Sequence, residues 1–167
     1  ENYMITPHIM GINSWMIFLE LDEKQYCVCI NKKDIKHFKK QIDLNTLKIY
    51  NCNYQTNNNF NLLAKPFSIF DGKFIIGTDG ILSYNILDMY YMNGISQLNV
   101  SLKKKMEVIK DMISNINENL VCRPIEYNIK MVGLYDFDQL ADLTFNKIKQ
   151  SKLKINGFIF MPLISGK

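Results

Sequence analysis

The sequence predicts an α+β domain: a mainly antiparallel, twisted sheet with helices on one side. Three observations carry this. Apolar β-branched and aromatic runs come in pairs across short polar or glycine turns, as in hairpins. Three other stretches repeat apolar residues every three to four positions, as in amphipathic helices. The strands gather around the hairpins, and the helices are set apart from them.

In chain order, "TPHIMG" places Pro7, His8, Met10 and Gly11 in a turn ahead of an apolar run. Ser14 to Leu21 and Gln25 to Ile30 flank the polar "DEK", so two antiparallel strands follow. Ile35, Phe38 and Ile42 line one face of a short helix whose lysines form a solvated face. "NCNYQTNNNFN", 51–61, buries too little apolar surface to pack itself and reads as a loop. "FSIFDGKFII" and "ILSYNILDMYYM" form the sheet centre, joined by "GTDG", where glycine supplies positive φ and Asp79-Gly80 reads as a turn pair.

Ser101 can cap a helix with Leu102, Met106, Ile109, Ile113 and Ile116 as its core stripe. "IEYNIKMVGL" reads as a strand. Phe137 to Lys149 reads as a second long helix with Leu140, Ala141, Phe145 and Ile148 inward, and "INGFIFMPLI" as the closing strand. No repeat or domain boundary interrupts the 167 residues, which suit one domain. The opening at Glu1 and the end at Lys167 suggest a piece of a longer protein.

Composition narrows function only loosely. The +4 charge permits contact with a polyanion without requiring it. Arg123 is the single arginine among 20 basic residues, so bidentate phosphate recognition has one candidate, the other reading being a surface guanidinium beside Pro124. Lys103 to Lys105 open a helix, where the dipole disfavours cations; they read either as a patch for phosphates or acidic protein, or as a solvated run. Cys27, Cys29, Cys52 and Cys122 lack metal-type spacing and read as reduced structural thiols, and His8 and His37 are the only imidazoles. No metal site is expected. Neither a membrane span nor a signal segment is visible, so an intracellular protein without membrane contact is expected.

Four stretches, by order and spacing, resemble the nucleotidyltransferase core of mRNA capping guanylyltransferases and the related ATP-dependent ligases. "TPHIMGINSWMIFL" occupies the slot of the Lys-x-Asp-Gly motif, and "SIFDGKFI" resembles the Asp-Gly-Glu motif through Asp71 and Gly72. "YNILDMYYMNGISQLNVSLKKKMEVI" follows the family layout with Asp88, Asn93 and Gly94, and "INGFIFMPL" resembles the Asp-Gly-Leu-Ile-Phe motif. The resemblance implies a fold in which a lysine attacks the α-phosphate of GTP and Mg²⁺-binding carboxylates neutralise the developing charge.

The chain departs from the pattern where that chemistry resides. His8 stands for the nucleophilic lysine, Met10 for the aspartate, Lys73 for the glutamate and Asn156 for the last acid. The scaffold with its chemistry removed implies a catalytically degenerate guanylyltransferase-like domain. Such a domain is expected to bind a nucleotide, an RNA 5′ end or cap, or a partner protein, with other domains or subunits of a capping or transcription assembly around it. His8, Gly11, Asp71, Lys73, Asp88, Arg123 and Asn156 are its candidate contact residues, and Trp15, Tyr84 and Tyr90 are candidate base stackers or core. The competing expectation is an active, divergent guanylyltransferase using GTP and Mg²⁺, with His8 or a lysine outside this chain carrying the nucleotide. A scaffold domain without a ligand is the third.

Overall fold

The computed structural model describes residues 3–35, 48–51, 66–119, 128–151 and 153–164. It is an α+β structure of two sheets. Strands β2 (Ile12–Leu21) and β3 (Lys24–Asn31), β4 (Lys48–Asn51), β5 (Phe67–Ile76), β6 (Leu82–Met92) and β7 (Ile95–Ser96) lie in the order β4-β3-β2-β5-β6-β7, antiparallel throughout. β8 (Asn128–Met131) adds to β6 in parallel, so the larger sheet is mixed. β1 (Tyr3–Ile9) and β9 (Ile155–Pro162) form a separate antiparallel pair.

The hairpin turns follow local chemistry. Asp22 and Glu23 (φ 50° and 59°) and Asn93 and Gly94 (φ 52° and 74°) take the left-handed conformations of tight two-residue turns. Asn-Gly does so at little cost. Asp-Glu is held there by the strands it joins.

Alternation along β2, β3, β5 and β6 sends Met16, Phe18, Cys27, Phe70, Tyr84 and Ile86 to one face. Helix α1 (Lys32–Ile35) follows β3, and helix α2 (Leu102–Asn119) covers that face with Leu102, Met106, Ile109 and Met112. The expected 3.6-residue stripe is thus the observed one through Ile113. Ile9, Ile75 and Val132 form a smaller cluster beneath β1 and β9.

Two expectations are corrected. His8 lies inside β1, not in a turn: the turn is Met10–Gly11, and β1 forms by pairing with β9 and burying Met4, Ile5 and Ile9. The stretch after Asp136 is a helical run, α3 (137–150), but Leu143–Lys147 within it is a π-helical turn. The face turned inward is that of Leu140, Leu143 and Lys147, spaced i, i+3 and i+7, with Ile148 beside it. Leu143 is buried, while Ala141 is exposed and Phe145 stands 66% exposed. Phe38, Ile42, the 52–61 loop, Cys52, Cys122, His37 and Arg123 lie outside the described residues. No helix among the described residues is long and apolar enough to cross a membrane.

Candidate functional site

The β1–β9 pair carries two of the candidate residues, His8 and Asn156, and Lys73 on β5 reaches its end at Ile9. Pro7 pairs with Phe158 and Ile9 with Ile155, so Asn156 and Gly157 together oppose the single residue His8. This is a bulge, and Gly157 carries its unusual backbone (φ 146°). His8 and Asn156 are therefore neighbours across two strands. Their side chains alternate away from the hollow that Pro7, Ile9 and Ile155 line on the other face.

Lys73 ties this pair to the large sheet. Its ammonium donates to the carbonyl oxygen of Ile9 at 2.9 Å, and only 6% of the residue is exposed. Burial lowers its pKa, an effect that Asp71 opposes and Lys32 reinforces. The slot where the family resemblance places an acid thus holds a cation committed to backbone.

Asp71 lies two residues away on the same face. Its Oδ1 is ion-paired with Lys32, and its Oδ2 accepts the Tyr90 hydroxyl at 2.7 Å. Two bulges in β6, at Leu87 and Tyr90, break the register against β5 and aim Tyr90 at that carboxylate. Burial, followed by the Asp71 hydrogen bond and charge, raises the Tyr90 pKa. Lys32 also lies 6.0 Å from the centre of the Trp15 ring, and Trp15 sits beside Asp71 in the β2–β5 register. The buried Trp15 indole N–H has no hydrogen-bond partner among the described residues.

The remaining candidates have structural duties. Asp88 is buried and ion-paired at 3.0 Å with Lys105, which is fully buried, and it also accepts the Met89 N–H at 2.7 Å. The lysine triplet is accordingly no surface patch. Lys105 is in the core, Lys103 pairs with Asp136 at 3.2 Å, and Lys104 is exposed. Tyr84 is no base stacker: it is fully buried, and its hydroxyl donates towards the carbonyls of Ser14 (2.9 Å) and Phe70 (3.2 Å). Burial raises its pKa well above the usual value.

The two motif glycines are explained by packing. A Cβ on Gly11 would strike the Phe74 carbonyl, and one on Gly72 would strike the Asn85 carbonyl and sit 2.8 Å from the Tyr84 ring. Neither glycine needs a ligand to account for it.

No protein-family model matches this chain, and no curated protein matches it either. Its chemistry therefore rests on the geometry above. Among the described residues, no group of three or more His, Cys, Asp or Glu side chains comes together as a metal cage.

Sequence reasoning missed Lys32 and Tyr90 as the partners of Asp71. The signal was available in the hairpin registers. Ile30, Trp15 and Asp71 fall in one row across β3, β2 and β5, which brings the residue that follows Asn31 to the carboxylate.

Proposed function

We propose that the chain is a nucleotidyltransferase-like domain that binds phosphate at the cationic face of β5 around Lys32, Asp71 and Lys73 and has lost the transfer reaction. Its ligand is a nucleotide or an RNA 5′ end, presented within a capping or transcription assembly. The observation that carries this reading is the environment of Lys73. A buried ammonium spent on the Ile9 carbonyl occupies the acid slot, and the neighbouring carboxylate is held by Lys32 and Tyr90. Lys32, Lys73 and Asp71 leave one net positive charge there, which disfavours a divalent cation and favours phosphate oxygens.

The test uses the chain with GTP, a cap analogue and a triphosphate-ended oligonucleotide. At about ten times the dissociation constant a ligand stabilises by about 1.4 kcal/mol, an upward shift of roughly 3–6 °C in melting temperature. Lys32→Glu should remove most of it. Incubation with α-labelled GTP and Mg²⁺ should leave no acid-labile adduct. Absence of any shift with all three ligands would overturn the binding reading, and a covalent adduct would overturn the loss of chemistry.

A further inference from the structure

A hollow of about 130 Å³ opens between the β1–β9 pair and α3. Ile9, Val132, Leu143 and Ile155 give it an apolar side, and the buried Asn85 amide, Tyr135 and Ser151 border it with polar groups. Among the described residues, Lys147 is the one charged side chain lining it, and no carboxylate shares the lining. The ammonium of Lys147 lies 4.5 Å from the centre of the Tyr135 ring, a cation–π contact that keeps the charge at this edge. Its acidic neighbour, Asp142, stands 3.6 Å away, and both side chains are about half exposed, a pair worth little in water.

Two local devices build the hollow. Leu143 and Lys147, four residues apart on one face of α3, both reach it, one as wall and one as charge. Gly133 lets the Tyr135 ring fold inward, since a Cβ there would sit 2.6 Å from the tyrosine hydroxyl oxygen. An enclosed apolar space of about 150 Å³ holds one benzene-sized ring, whereas drug-sized ligands need roughly 300 Å³ or more.

We infer that this hollow is a binding site for a small amphipathic monoanion, an aromatic or short branched carboxylate, with its apolar body against Leu143 and Val132 and its carboxylate on Lys147. The site adjoins Lys73 through Ile9 but uses none of Lys32, Asp71 and Lys73, so it does not depend on that reading.

The experiment titrates the chain with benzoate, benzyl alcohol and benzylamine, following methyl chemical shifts of Val132, Leu143 and Ile155. Benzoate should bind in the millimolar range and benzylamine should not. Lys147→Met should weaken benzoate by roughly tenfold and leave benzyl alcohol unchanged. Leu143→Trp and Val132→Phe fill the space in two different ways. Whichever of them retains the wild-type far-UV and near-UV circular dichroism should lose both ligands. Benzoate bound equally well by Lys147→Met, or by a folded filled variant, would overturn the inference. So would failure of benzoate to bind at about 20 mM.

Discussion

Replacing Gly72 with alanine tests what the central Asp-Gly pair is for. The Tyr84 ring lies edge-on to Phe74, with centroids 5.0 Å apart, and crosses Gly72 to place its hydroxyl between the Ser14 and Phe70 carbonyls. A methyl group at residue 72 would sit 2.8 and 2.9 Å from two ring atoms and press on the Asn85 carbonyl. Overpacking of a core by one methyl costs about 1–3 kcal/mol. Displacing the ring also weakens its hydroxyl bonds, at about 1 kcal/mol each. The expected loss for Gly72→Ala is therefore about 2–4 kcal/mol, a large part of the ~5–15 kcal/mol by which domains are stable. Urea denaturation followed by circular dichroism measures it. Because the ring is one of two obstacles, the same change in a Tyr84→Leu background should cost at least about 1 kcal/mol less. A Gly72→Ala protein as stable as wild type but unable to bind nucleotide would refute the packing account and return the glycine to ligand contact.

Three further outcomes follow from the described contacts. Asp88→Ala removes the carboxylate paired with the buried Lys105 ammonium and should cost about 3–5 kcal/mol in chemical denaturation, whereas Lys103→Ala, which breaks the exposed pair with Asp136, should cost under about 1 kcal/mol. Leu143→Ala should lose about 2–5 kcal/mol and Phe145→Ser should stay within about 0.5 kcal/mol, the reverse of the ranking expected from an unbroken helix. Lys73 has its folded pKa lowered below 10.5, so between that lowered value and 10.5 the unfolded chain binds more protons and stability rises with pH. The stability difference between wild type and Lys73→Met should then move in favour of wild type as pH climbs through this interval. A difference that is flat with pH would contradict it, and taking the difference cancels the tyrosines, which titrate in both proteins.

Much of the sheet was legible because period-2 alternation and turn chemistry are local. The β2–β3 and β5–β6 hairpins and the stripe from Leu102 to Ile113 needed only neighbouring residues. β1 was missed because its seven residues, Tyr3–Ile9, become a strand only against β9, some 150 positions away. The face of α3 was misassigned because two helical stripes compete there: Leu140, Ala141, Phe145 and Ile148 are the more apolar, but the stripe through Leu143 is the one that meets the rest of the molecule.

The sequence by itself determined the class, α+β, and which residue types stand at the motif positions, since composition and spacing do not depend on partners. Only the tertiary structure decided what those residues do. It set His8 against Asn156 at a bulge, gave Lys73 to the Ile9 carbonyl, Asp71 to Lys32 and Tyr90, and Lys105 to Asp88. The reason is that a charged side chain's role is fixed by desolvation and by the groups within a few ångströms of it. Those groups come from strands and helices that the chain order keeps far apart.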